Sequence, residues 1–139
     1  MPAKNLHHDA VVTALKTDGW TITHDPFRLE YGKRDVFIDL AAERNVLGAE
    51  RNGEKIAVEI QSFVTPSAVA SLEQALGQYI LYRSILSRFE PDRILFLAVT
   101  QQVFDGILSE PIGQIALSDS SVHVLAFDED RKEIVTWKK

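Results

Sequence analysis

The chain has 139 residues, nearly half of them apolar, with no cysteine and a formal net charge of −5. That length suits one hydrophobic core and is short for two, so a single domain over residues 1–139 is expected, and without cysteine there are no disulfides and no thiolate metal sites. The acidic balance argues against a protein that coats nucleic acid, because such binding needs clustered Lys and Arg to release phosphate counterions; any contact with DNA must be local. Residues 1–9 lack the apolar core of a signal peptide and no apolar run is long enough to cross a bilayer, so a cytoplasmic protein is expected.

Helical spacing of Leu6, Ala10, Val11, Ala14 and Leu15 predicts a first helix, capped by Asn5 and stopped at Gly19. Residues 20–24 alternate and end at Asp25-Pro26. From Asp35 to Leu40 a second alternation puts Val36, Ile38 and Leu40 on one strand face and Asp35, Phe37 and Asp39 on the other. Asn52-Gly53 predicts a hairpin turn between strands 46–51 and 54–63, the second presenting Ile56, Val58 and Ile60 on one face and Glu59 and Gln61 on the other. A long helix follows, from Ser67 or Ser71 to Arg88, with a stripe of Leu72, Ala75, Leu76, Tyr79, Arg83 and Leu86, and Pro91 beyond its end. The apolar run 93–99 suits a central strand covered on both faces. Short helices near 103–108 and 112–117, a strand at 122–127 and an edge strand at 133–137 complete a three-layer α/β sandwich with a central mixed sheet flanked by helices.

Within this pattern Asp39 and the string Glu59-Ile60-Gln61 form the arrangement Asp…Glu-x-Gln. Two carboxylates and a backbone carbonyl can hold a hard divalent cation, and a further polar side chain can place water, which is what phosphodiester hydrolysis requires. Ordinary surface acids are the simpler expectation for an arbitrary Asp and Glu. These two, however, lie among Val, Ile, Phe and Ala, where an uncompensated carboxylate is costly. Candidate metal ligands are therefore Asp39, Glu59 and the Ile60 carbonyl, with Mg2+ or Mn2+ as the cation and Gln61 placing water.

On the long helix Ser71, Gln74, Gln78 and Tyr82 make a polar line, with Gln78 and Tyr82 the candidates for positioning water or nucleic acid. His7 and His8 diverge by about 100 degrees around a helix and do not suit one zinc ion; His8 or Asp9 can reach the acidic pocket only as an addition to it. Arg28, Lys33, Arg34, Arg44, Arg51 and Lys55 are candidate phosphate contacts, with solvated surface charge the plainer reading for most of them.

The strings His8-Asp9-Ala10, Asp18 to Pro26, Phe37-Ile38-Asp39-Leu40, Lys55 to Ile60 and Ala75 to Arg83 resemble the XisH-type excision controlling factors, over nearly the whole chain. That family is associated in cyanobacteria with programmed removal of a DNA element during heterocyst differentiation. The resemblance implies a restriction-endonuclease-like fold of the PD-(D/E)xK type, a part in site-directed DNA excision and recombination, and an XisI-like companion protein; a homo-oligomer is left open. It matches Asp39 to the first acid, Glu59 to the second and Gln61 to the position that usually holds Lys. Gln78 and Tyr82 are similar to the Gln-x-x-x-Tyr helix motif of RecB-like nucleases. A neutral Gln61 can orient water but cannot balance charge near a phosphate.

If the Asn52-Gly53 hairpin pairs without bulges, Glu59 lies opposite Val46, and Glu43 or Glu50 replaces Asp39 as the first acid. Two functions are thus expected: an excision factor working as a Mg-dependent DNA endonuclease, or a non-catalytic module of nuclease ancestry acting with an XisI-like chain. A defence or toxin-like nuclease is a third, which the resemblance does not favour.

Overall fold

The middle of the protein is built from strands with no face left for water. The computed structural model describes residues 6–45, 53–64 and 66–139. The strands β5 (Glu54–Ile60) and β6 (Ile94–Thr100) run parallel side by side, and nearly every residue from Ile56 to Ile60 and from Leu95 to Thr100 is buried. Around them the sheet adds β1 (Thr21–His24), β4 (Leu40–Arg44), β7 (His123–Asp128) and β8 (Glu133–Lys138), in the order β1-β4-β5-β6-β7-β8. β6 and β7 are parallel; the outer pairs β1/β4, β4/β5 and β7/β8 are antiparallel.

Parallel neighbours need crossovers, and both are helical. Helix α2 (Ala68–Phe89) links β5 to β6, and α3 (Gln101–Asp105), a 3-10 turn at Ile107–Ser109 and α4 (Pro111–Asp119) link β6 to β7. Both crossovers lie on one face, where Leu72, Ala75, Tyr79, Leu108 and Leu117 pack against Ala57, Leu95, Leu97 and Val124. Helix α1 (His8–Thr17) covers the other face, with Val11 and Leu15 against Ile56, Val58, Phe96 and Leu125. The three-layer α/β sandwich expected from the sequence is what forms, and no described helix is long and apolar enough to cross a membrane.

Buried polar groups tie the layers together. The Tyr79 hydroxyl, in the wholly buried Tyr79 side chain, donates to the Leu95 carbonyl at 2.7 Å and accepts from the His123 amide at 3.1 Å, joining α2 to β6 and β7. Arg93, 6 % exposed, donates from Nη1 to the Ile56 carbonyl at 3.0 Å and from Nη2 to Glu90 Oε1 at 2.9 Å, which satisfies a guanidinium too costly to bury alone. The long helix starts on Ser67, whose hydroxyl accepts from the Ala70 amide.

Three expectations change. The alternation from Asp35 to Leu40 is not one strand: β3 (Arg34–Ile38) ends, the chain bends at Asp39, and β4 begins. Ile38 and Val36 join the α2 side of the core while Leu40 joins the α1 side, because β3 belongs to a separate two-stranded sheet with β2 (Phe27–Tyr31). Phe27, Leu29 and the turn at Gly32, with φ of +63°, are the signal for this hairpin that reading from residue 35 onward passes over.

The partner of β5 is not 46–51. It is Leu40–Arg44, with Leu40 opposite Val58 and Arg44 opposite Glu54; Leu40, Ala41 and Ala42 are fully buried, and that burial rather than a two-residue turn sets the register. Residues 46–52, including Asn52, lie outside the described residues; at Gly53 a Cβ would fall 1.9 Å from the Arg44 carbonyl oxygen, so the strands re-meet where only glycine fits. Helix α1 starts at His8, with His7 as its cap residue, two positions after the expected cap; Asn5 lies outside the described residues.

Replacing Tyr79 with Phe leaves a buried carbonyl and a part-buried amide without their shared partner. A loss of about 1–3 kcal/mol in unfolding free energy is expected, read from the shift in urea midpoint at unchanged slope.

Candidate functional site

The register of β4 on β5 brings Asp39 and Glu59 together. Counting one residue back from the Leu40–Val58 pair places Asp39 across from Glu59, at the point where the chain leaves the outer hairpin and enters the main sheet. Each acid is bound by the other strand's backbone: Ile60 N donates to Asp39 Oδ2 at 2.8 Å, and Asp39 N donates to Glu59 Oε1 at 3.3 Å. The carboxylates therefore take over the end of the strand ladder. Glu43, one of the alternatives, pairs across from Lys55 and lies 4.0 Å from Arg93, well down the strand; Glu50 lies outside the described residues. Asp39 is the acid that meets Glu59.

Two carboxylates this close and this buried cannot both ionise freely. Burial, then the Asp39 charge, pushes Glu59 up to about 9, and Glu59 is only 6 % exposed. Burial also raises Asp39, against the pull of the Ile60 N–H, the Glu59 hydrogen bond and the nearby His8. Both shifts favour a pair that holds one proton at neutral pH.

Gln61 follows Glu59 on the same strand face, and its amide nitrogen donates to Gln78 Oε1 on α2. Its backbone N–H bonds to the Ala98 carbonyl at 3.0 Å, so the pairing with β6 holds through Gln61 before Phe63, in the left-handed region at φ of 49°, turns the chain toward α2. Tyr82 lies one turn beyond Gln78; burial raises its hydroxyl first, then the charges of Glu59 and Asp39. Hydrogen bonds thus join Asp39, Glu59 and Ile60 to one another, and Gln61 to Gln78. Of the remaining helix line, Ser71 is buried and Gln74 is exposed.

The first helix contributes more than its spacing suggested. His8 is 4 % exposed, its Nε2 lies 2.8 Å from Asp25 Oδ1, and both residues act electrostatically on Asp39. Asp25, read from the sequence only as the end of a strand, is the residue that reading missed; an exposed partner for a buried histidine leaves no periodic signal. His7 turns away, with Nδ1 3.3 Å from Glu129, and Asp9 is exposed, so neither enters the acid pair. Of the basic residues expected at phosphates, Arg28 is tied to Asp35 at 3.0 Å and Arg44 to Glu54 at 2.8 Å, Lys33 and Arg34 are exposed on the hairpin, and Arg51 lies outside the described residues.

Among the described residues no three Asp, Glu, His or Cys side chains converge on a point where they alone would hold an ion. Two carboxylates beside a strand carbonyl, with water and substrate completing the shell, nevertheless fit the oxygen preference of Mg2+ or Mn2+ and not a thiolate- or imidazole-rich zinc site.

A carboxyl that holds its proton when folded and releases it when unfolded makes stability depend on pH. Glu59 titrates at about 9 in the folded chain against an ordinary value of 4.5, so its contribution is complete below pH 4.5 and is lost as pH rises toward 9. The Glu59→Gln variant removes this titration. Without divalent metal it should gain stability over the native chain between pH 5 and pH 8, by at most about 1.4 kcal/mol per pH unit, measured by denaturant unfolding across that range.

Comparison with known proteins shows the family. The family model described as XisH protein matches residues 1–135. The crystal structure of an XisH family protein from Nostoc punctiforme PCC 73102 is 34 % identical, with a TM-score of 0.88, covering 97 % of this chain and 100 % of that one. That of an fdxN element excision controlling factor protein from Anabaena variabilis is 36 % identical, with a TM-score of 0.85, covering 98 % and 100 %. No curated protein matches the chain. A match over almost the full length, by sequence and by fold, makes this chain a member of the XisH family.

Proposed function

We propose that this protein is an excision controlling factor that acts on DNA as a Mg2+- or Mn2+-dependent endonuclease of the PD-(D/E)xK type. The observation that carries the reading is the buried Asp39–Glu59 pair, which meets by sharing a proton the charge that a cation would meet directly. The role in element excision rests on the Anabaena variabilis relative, described as an fdxN element excision controlling factor.

Asp39, Glu59 and the Ile60 carbonyl would hold the cation. Bound there, it would supply Lewis-acid polarisation of a phosphoryl oxygen and a more acidic water. Gln61, fixed by Gln78, orients water at the end of β5. Tyr82, kept protonated by burial and by the neighbouring acids, offers a hydroxyl donor toward phosphate oxygens. The shared proton of the acid pair must leave before the cation enters, so affinity should rise with pH.

A second reading has one observation in its favour. Gln61 is neutral and already engaged with Gln78, and among the described residues neither acid is ion-paired to a lysine or arginine, so the positive charge that helps activate water in such nucleases has no counterpart in the recorded pairs. In that reading the pocket is a relic and the chain works by binding an XisI-like companion.

Calorimetry with Mn2+ separates the two. Native protein should bind and Glu59→Ala should not, and Asp39→Asn should lower cleavage of supercoiled or branched DNA about a hundredfold or more. Gln61→Lys should raise cleavage. A native chain that takes up no Mn2+ contradicts the endonuclease reading and leaves the partner-binding one.

A further inference from the structure

The α1 face of the sheet is covered unevenly. One helix of ten residues is about 15 Å long and about 10 Å across, whereas six strands at about 4.8 Å spacing are more than twice that width. Where α1 ends, aromatic side chains take over: Trp20, 4 % exposed, and the half-buried Trp137 have ring centres 5.7 Å apart, and Trp137 meets Phe96 edge-on at 4.9 Å. They line an open cleft of about 210 Å³ at the start of β5 and β6. Glu54, on its wall, is five residues from Glu59, so the cleft lies roughly 16 Å along the strand from the acid pair.

The charges around this cleft are sorted. The Arg44 guanidinium lies 4.4 Å above the Trp20 ring and bonds Glu54 at 2.8 Å, while Lys139 lies 3.8 Å from the same carboxylate. Glu54, held below its ordinary range by Arg44, is thereby already matched. Asp92 adds an exposed acid on the rim. A flat ring needs an aromatic wall and a phosphate needs a cation, and the cleft has both, in a chain whose overall charge is negative.

We infer that this cleft binds an unstacked nucleobase carrying its 5′-phosphate, the base against Trp137, the phosphate at Lys139, and an exocyclic amino group at Asp92. The shared chemistry is that of a nucleotide, whether free or within a single strand. This site is separate from the acid pair and does not depend on its activity.

Trp20 and Trp137 are the chain's two tryptophans, so intrinsic fluorescence reports on this cleft. Deoxyadenosine 5′-monophosphate should quench it saturably, and deoxyribose 5-phosphate, which has no base, should not. By calorimetry Trp137→Leu should weaken the mononucleotide about tenfold or more, Trp137→Phe should retain affinity within about threefold, and Lys139→Ala should weaken it. Glu59→Gln should bind as the native chain does. A short oligodeoxyadenylate binding more tightly than the mononucleotide assigns the cleft to a DNA strand; the reverse order assigns it to a free nucleotide. Absence of saturable quenching, an equal response to the baseless sugar phosphate, or unchanged affinity in Trp137→Leu would overturn the inference, and loss of binding in Glu59→Gln would overturn its independence.

Discussion

At the end of the β4–β5 ladder two strands exchange hydrogen bonds through side chains instead of through the backbone. Ile60 N–H bonds the Asp39 carboxyl, and Asp39 N–H bonds the Glu59 carboxyl. This exchange fixes where β4 begins, lets the chain bend from the outer hairpin into the main sheet, and sets the half-buried Asp39 against the buried Glu59. A slip of one residue would turn Glu59 to the α1 side, among Val58 and Ile60, where it would meet only apolar atoms. The reciprocal bonds therefore specify the fold and place the chemistry at once. Their cost is two titratable groups that compete for charge in a poorly solvated place, a tension often found where function is carried.

The two faces of the sheet serve this arrangement differently. On the α2 side, two helical crossovers and the outer hairpin close the core around Tyr79, and α2 brings Gln78 to Gln61 at the end of β5. On the α1 side a single short helix leaves aromatic residues to finish the cover, and a cleft remains at the opposite end of the same strand. β5 thus carries an acidic, metal-suited end and an aromatic, cation-rimmed end, held rigidly apart by a buried strand.

Much of this was legible in the sequence because it follows from period and burial. The alternation in 54–60 identified the faces of β5, the stripe from Leu72 to Leu86 identified α2, and the unbroken run 93–99 identified a strand in mid-sheet. Gln78 and Tyr82 share a face of α2 because they lie four residues apart, and Gln78 accepts from Gln61. What was not legible depends on contacts far apart in the chain. The alternation from Asp35 to Leu40 continues through a bend, since two different half-buried strands carry the same period. The Asn-Gly signal suggested a tight hairpin, whereas the buried run Leu40-Ala41-Ala42 set the register. The partners of the buried His8 and Arg93, namely Asp25 for the first and Glu90 with the Ile56 carbonyl for the second, are pairings that only the assembled fold reveals.

Direct titration of the Glu59 carboxyl tests the central claim most plainly. In the chain labelled with 13C at glutamate and aspartate carboxyls, and free of divalent metal, the Glu59 signal should titrate near pH 9. It should move toward lower pH when Asp39 is replaced by Asn, and also when Mg2+ is added. A Glu59 signal that titrates near its ordinary 4.5, with no response to Asp39→Asn or to Mg2+, would contradict the shared-proton pair and the metal site built on it.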